Sequence, residues 1–267
     1  MSLLRCLALA PAIFLVACGT PVKIIGHRGA SYHAPENTLA AVALSYQMKA
    51  DATEIDVHLS ADQRIMVIHD DNTQHTAGVH HKISNTHSDV LRTLDVGKFK
   101  GEKFTGEKIP FLEEVIDLIP PGRLLFVEIK CGPEVLPALE RVIAASDKRK
   151  QIVIIGFGLD TMAAAKKKFP DIPVYWLRGT VQDKETKRSL PHDPEWIKMV
   201  RERNLDGLNV HFAGLDENYA RQVRKAGLGL YVWTVNDPIE ALRMKSLGVD
   251  GITTDRPGWM RDLLESR

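Results

Sequence analysis

Beyond residue 22 the chain alternates short apolar runs with longer segments whose apolar residues recur at helical spacing. The apolar runs predict strands over residues 23–27, 52–59, 124–129, 151–156, 173–177, 207–211, 229–235 and 251–254. Between them, helices are expected over residues 38–49, 112–119, 134–145, 159–169, 194–203, 217–226, 238–247 and 257–265. Asn37-Thr38, Asp160, Asp193-Pro194 and Asp237-Pro238 mark helix starts, as N-cap or first-position residues. Eight βα units with apolar strands predict an α/β fold, a (β/α)8 TIM barrel. A doubly wound open sheet is the alternative. It more often shows a Gly-rich fingerprint after its first strand, and Gly26-His27-Arg28-Gly29 is not one.

Two stretches break the alternation. After the second strand, the polar run Ser60 to Arg64 suits a turn, and a further strand over residues 65–68 would close a hairpin near Asp62. Residues 71–108 are then polar and rich in Gly, Thr, His and Lys, with Ile83, Val90, Leu91 and Leu94 as scattered apolar anchors. They read as a small insertion after the hairpin, containing one short helix over residues 88–94. The other break is at the start. Arg5 precedes an apolar run over residues 6–16, too short to span a bilayer and of the length of a signal-peptide core. Leu15-Val16-Ala17-Cys18 resembles a bacterial lipobox, which would remove residues 1–17 and make Cys18 a lipidated mature N-terminus. On that reading residues 22–267 are a single barrel domain, held by a lipid anchor in a bacterial cell envelope. Ordinary signal-peptidase cleavage and a retained anchor are the alternatives.

Composition adds exclusions. With 267 residues, 44% apolar and 26% charged, the chain can bury a sizeable core. A net charge of +1 gives no bulk attraction to nucleic acid or to an anionic membrane, so any affinity for phosphate must be local. Cys6 leaves with the signal and Cys18 would carry lipid, which leaves Cys131 without a disulfide partner in the mature chain.

The chemistry concentrates in residues 27–71. Residues two apart on a strand share a face, so Glu54 and Asp56 lie together with Ala52 and His58. Adjacent buried carboxylates are costly unless a cation answers them. The hairpin brings His69 toward Asp56, and the first strand delivers His27 and Arg28. Glu128 and Lys130 follow at the end of the third strand, Asn209 and His211 on the sixth, Trp233 on the seventh and Asp255 after the eighth. Barrel enzymes place reacting groups at these C-terminal strand ends. Three carboxylates and no thiolate suit a hard cation, Ca²⁺ or Mg²⁺, more than zinc. Surface salt bridges and hydrogen-bonded loop histidines are the bland alternatives for these groups.

At these residues the chain resembles the glycerophosphodiester phosphodiesterases. It carries an HRG (His27 to Gly29), a PENT (Pro35 to Thr38), an ExD (Glu54, Asp56) and an HD (His69, Asp70). Glu128-Ile129-Lys130, Trp233-Thr234-Val235-Asn236 and Thr254-Asp255-Arg256-Pro257 continue the match over nearly everything after residue 22. The resemblance implies hydrolysis of glycerophosphodiesters to an alcohol and glycerol 3-phosphate. It implies His27 and His69 as the acid–base pair, Glu54, Asp56 and Glu128 as ligands of one divalent cation, and attack by the substrate's own glycerol 2-hydroxyl. Arg28 and Lys130 would hold the phosphoryl oxygens, unless Lys130 only neutralises Glu128, and Trp233 would flank the glycerol unless it is simply core. One departure is His75, where the family usually carries an Arg; with His80, His81 and His87 it invites a zinc reading that no motif spacing supports. The rivals are a related barrel acting on lysophospholipids or phosphoinositides, and a surface binding lipoprotein without activity.

Overall fold

In the computed structural model, which describes residues 21–266, β1 (Lys23–Gly26) leads into α1 (Leu39–Gln47), β2 (Ala52–Leu59) and β3 (Ile65–Val67). The single-turn helices α2 (Gln74–Ala77) and α3 (Ser88–Leu91) precede α4 (Leu112–Asp117). Regular alternation then runs through β4 (Leu124–Ile129), α5 (Leu136–Ala145), β5 (Ile152–Gly156), α6 (Leu159–Lys168) and β6 (Val174–Arg178). It ends with α7 (Glu195–Glu202), β7 (Gly207–His211), α8 (Glu217–Lys225), β8 (Gly229–Trp233), α9 (Pro238–Leu247), β9 (Gly251–Thr254) and α10 (Pro257–Glu265). All neighbouring strands except β3 pair in parallel, and β1 joins both β9 and β2, so the sheet closes as a (β/α)8 barrel. The Cys18 reading falls outside the described residues.

β2 is long enough to serve two purposes. Its first residues pair with β1, Ile25 opposite Ala52, while its last three pair with the antiparallel β3, Val57 opposite Val67. The expected hairpin is therefore present, turning through Ser60 and Gln63, and it rises at the C-terminal rim of the barrel.

Alternation along the strands separates two apolar layers. Ile55, Val57, Val127 and Ile154 face outward to the helices, in the main core. Ile25, Ala52, Phe126, Val153, Leu177 and Tyr231 fill the barrel interior. The interior is plugged below, so polar residues further along the same strands meet above an apolar floor. Among the insertion anchors, Ile83 and Leu91 bury into a third cluster with Met66, Ile68, Val96 and Ile109, whereas Val90 is exposed.

Several expected boundaries shift. β1 stops at Gly26 because Arg28 takes a positive φ of 51° and turns the chain. β8 ends at Trp233, and α5 begins at Leu136 after a 3₁₀ turn over Pro133–Val135. Asp160 does not cap α6; Gly158 holds the N-cap position and Asp160 lies inside the first turn, where it still complements the helix dipole. Thr38 and Asp237 do cap, accepting from Ala41 N–H and from Ile239 and Glu240 N–H.

Candidate active site

The turn after β1 builds one wall. Gly29, at φ 87°, packs so closely on α1 that an added Cβ would lie 2.5 Å from the Ala41 carbonyl carbon. The left-handed Arg28 is held from both sides: its N–H donates to Glu54 Oε2 at 2.8 Å and its carbonyl accepts from Asn37 N–H at 3.0 Å. Its guanidinium donates to Glu36 Oε1 at 2.8 Å and lies 3.3 Å from Asp56 Oδ2. The Pro35-Glu36-Asn37-Thr38 motif thereby acquires a use residue by residue: Glu36 aims Arg28, Asn37 grips Asp56, and Thr38 caps α1.

Glu54, Asp56 and Glu128 offer carboxylate oxygens that all lie within 4.8 Å of one another, and all three residues are buried. Register explains this: Asp56 on β2 stands directly beside Glu128 on β4. Burial, with repulsion from Asp56 and Glu128, pushes the Glu54 carboxyl well above the usual carboxylate range. Burial and Asp56 likewise push Glu128 up to about 7, although Lys130 opposes the shift. Burial works against charge on Asp56 as well, but Arg28, Lys130, His69 and Asn37 outweigh it and hold its carboxyl below the ordinary range. Lys130 Nζ sits 2.9 Å from Glu128 Oε1 and 3.6 Å from Asp56 Oδ1.

The triad passes a test of fit to a divalent cation. Glu54 Oε1 is fully buried with no hydrogen-bond partner, and Glu128 Oε1 meets Lys130 only off-axis. Fully ionised, the three converging carboxylates would carry one more negative charge than Arg28 and Lys130 supply, and Glu36 also draws on Arg28. Oxygen donors alone suit a hard cation.

His27 and His69 both line a cavity of about 170 Å³ with Arg28, Glu54, Glu128 and Lys130. Each imidazole is backed by a carboxylate at 2.7 Å: His27 Nδ1 by Asp255 Oδ1, and His69 Nδ1 by Asp70 Oδ1. The two supports differ. Asp255 also accepts from Ser31 Oγ at 2.9 Å and from Asn236 Nδ2 at 2.6 Å, whereas Asp70 is more exposed. His58, on the face of Glu54 and Asp56, reaches the His69 carbonyl through Nε2 at 3.0 Å and so fixes the backbone there.

Trp233 lines the same cavity, its Nε1 donating to the Asn209 carbonyl at 3.2 Å and its ring edge-on to Phe157. Phe157 is a cavity residue that the sequence did not single out. The sequence gives Glu36, Asn37, Ser31 and Asn236 no part in the site either; three of them lie inside recognised motifs, but only contacts across the fold show what each holds. His75 lies elsewhere, on the exposed insertion, its ring 5.6 Å from that of Phe99. Among the described residues, the group with metal-ligating geometry is the carboxylate triad, and His75, His80, His81 and His87 do not join one.

Comparison with known proteins places this geometry. The sequence model of the glycerophosphoryl diester phosphodiesterase family matches residues 27–259. The glycerophosphodiester phosphodiesterase of Caldanaerobacter subterraneus is 30% identical over 250 residues, covering 90% of this chain and 97% of its own. The Bacillus subtilis protein YhdW is 30% identical over 240 residues, with 89% and 96% covered. A phosphodiesterase of Oleispira antarctica, solved in complex with the product sn-glycerol-3-phosphate, superposes with a TM-score of 0.83 at 27% identity, covering 91% of this chain and 96% of that one. With so long a match, and relatives spanned nearly end to end, the chain belongs to the glycerophosphoryl diester phosphodiesterase family and is an enzyme of that class.

Proposed function

We propose that the chain hydrolyses glycerophosphodiesters to an alcohol and glycerol 3-phosphate, with His27 and His69 exchanging protons beside one divalent cation, Ca²⁺ or Mg²⁺. The observation that carries this reading is the meeting, in one cavity, of two carboxylate-backed histidines with a buried carboxylate triad. Glu54, Asp56 and Glu128 would hold the cation, which when bound supplies Lewis-acid stabilisation of phosphoryl charge. Asp255 and Asp70 occupy the Nδ1 positions, which leaves Nε2 of each imidazole to take or give a proton. One histidine deprotonates the attacking hydroxyl and the other protonates the departing alcohol. Arg28 and Lys130 spread the charge that develops on phosphorus oxygens. Trp233 and Phe157 form the wall against the glycerol. The attacking group is the substrate's own 2-hydroxyl, whose proximity replaces much of the entropy of capturing water. It forms a cyclic glycerol phosphate as the alcohol leaves, and water then opens that ring, with the two histidines exchanging roles, to give glycerol 3-phosphate.

Turnover of glycerophosphocholine, with lysophosphatidylcholine and a deoxy analogue lacking the 2-hydroxyl beside it, tests the reading. Glycerol 3-phosphate should be released from the first, and the deoxy analogue should bind but hardly react. Lysophosphatidylcholine as the better substrate would overturn the substrate class, and fast cleavage of the deoxy analogue would overturn the internal nucleophile. For location, the Leu15-Val16-Ala17-Cys18 tetrapeptide supports a lipid-anchored protein of the bacterial envelope.

A further inference from the structure

The lipobox reading leaves little chain between anchor and fold. Only Gly19, Thr20, Pro21 and Val22 separate Cys18 from β1, and Val22 is already packed against the core. β1 enters the barrel at its floor, the end opposite the catalytic cavity: the Lys23 N–H donates to the carbonyl of Asp250, in the turn before β9, at 2.9 Å. A chain extends by at most about 3.6 Å per residue, so Cys18 stays within roughly 15 Å of Val22. A route from there to the mouth crosses a helix layer about 10 Å thick. It must then climb a helix such as α5, whose ten residues rise about 15 Å. The tether is too short for both.

The floor has a second feature. There Arg149 and Lys166 are paired with Asp171 and Asp206, but Lys49, Lys150, Lys167, Arg201 and Lys225 are exposed and make no ion pair among the described residues. The exposed carboxylates left to answer them on that face are Asp117, Asp147 and, in the last turn of α10, Asp262, since Glu202 and Glu265 are already paired with Arg203 and Arg261. Helix C-termini favour cations one by one, and together they make a positive face where the tether meets lipid. The large exposed apolar side chains, among them Tyr32, Phe99, Phe157, Val181 and, at the start of α9, Ile239, lie on the loops, insertion and helix starts around the mouth instead.

We propose that the anchored enzyme sits floor-down on an anionic bilayer, its mouth toward water, and takes its diester from solution rather than from the membrane that holds it. This rests on the Cys18 anchor, and adds which face meets lipid and which phase supplies substrate. An anionic surface attracts such a basic face, and one acyl anchor plus a basic patch binds more firmly than either alone.

The test uses the full chain from a host with lipoprotein processing, in the Cys131→Ser background, reconstituted into phosphatidylglycerol-containing vesicles. A dye is placed at Asp147→Cys on the floor or Ile239→Cys at the mouth, with a quencher carried by the lipid. Strong quenching at the floor and little at the mouth is the expected result; equal quenching, or more at the mouth, overturns the orientation. Floor quenching should weaken in neutral phosphatidylcholine vesicles, and equal quenching in both lipids overturns the role of the floor cations. The vesicle-held enzyme should cleave soluble glycerophosphocholine as fast as detergent-solubilised enzyme, whereas a several-fold slowing would mean the mouth is pressed to lipid. Intact mass without acyl groups on Cys18 overturns anchor and orientation together. Inactivity of both forms toward the diester, with the quenching contrast intact, would instead count against the proposed reaction and leave the orientation standing.

Discussion

Asn37 holds Asp56 with both ends of its amide: Nδ2 donates to Asp56 Oδ2 at 2.9 Å, and Oδ1 accepts from the Asp56 N–H at 3.0 Å. It does so from a left-handed backbone, φ 57°, which asparagine tolerates better than most residues. Asn37→Ala removes a hydrogen bond to a buried charge and strains the turn, and should destabilise the protein by about 2–4 kcal/mol. Asn37→Gly relieves the strain without restoring the amide, so it should recover only part of that stability and little of the activity. Denaturant melts of the two variants check this, and a glycine variant with full stability and turnover would refute the role given to the amide.

The unequal supports of the two histidines make a second test. Burial works against charge on Asp255, yet hydrogen bonds from His27, Asn236 and Ser31 hold its carboxyl down at about 2. Asp255→Asn keeps the shape but presents an amide to His27, disturbing its tautomer. We expect kcat to fall roughly 10²–10⁴-fold, the range of an acid–base contribution, and Asp70→Asn to cost less because Asp70 is the looser, more exposed partner. Equal losses would mean that the tighter cradle of Asp255 is irrelevant to turnover.

Stability against pH should reveal the triad directly. Without metal the Glu128 carboxyl titrates in the folded protein at about 7, against 4.5 ordinarily, so the folded state keeps a proton that the unfolded chain has released. The stability present below pH 4.5 is therefore lost progressively as pH rises toward 7; Glu54, raised for the same reason of burial, adds to the loss. His58, His192 and His211, whose pKa values burial lowers, work in the opposite direction but are common to wild type and Glu128→Gln. Thermal melts of chelated protein should therefore show Tm falling across this window relative to that variant. Ca²⁺ or Mg²⁺ should raise Tm most at the alkaline end, because ligation requires the protons to leave. A Tm indifferent to both cations at neutral pH would rule out the triad as their site.

The barrel was legible because each strand–helix unit repeats the same two periods, and closure needs nothing beyond eight of them. The pairing of Glu54 with Asp56 was legible too, since strand alternation alone puts them on one face. What stayed hidden depends on contacts between distant segments. Nothing local to Glu36 shows that it aims Arg28, and nothing near Asn236 shows that it holds Asp255 across 19 residues. Asp160 reads as a cap because an acidic residue at a helix start satisfies both the cap and the dipole pattern, and only backbone angles separate them. Phe157 escaped because one aromatic after a strand resembles any exposed loop residue until Trp233 is beside it.

Asn209 carries the last prediction. It is 1% exposed and lines the cavity, and its Oδ1 has no hydrogen-bond partner. A buried acceptor left unpaired costs about 1–3 kcal/mol, so a hydroxyl delivered there by substrate would be favoured by roughly that amount, and glycerol carries hydroxyls where most alcohols do not. Asn209→Leu removes the unpaired oxygen at similar volume. The substrate-free protein should then melt at the same temperature or higher, while kcat/KM for a glycerophosphodiester falls about 10- to 100-fold, the rate equivalent of one such bond. The decisive comparison is a diester whose glycerol lacks its terminal hydroxyl. Wild-type enzyme should handle it poorly, and Asn209→Leu should treat it and the natural substrate alike. If the substitution instead slows both diesters by the same factor, the Asn209 side chain reads no hydroxyl at all, because the backbone carbonyl that holds Trp233 is the same in both proteins.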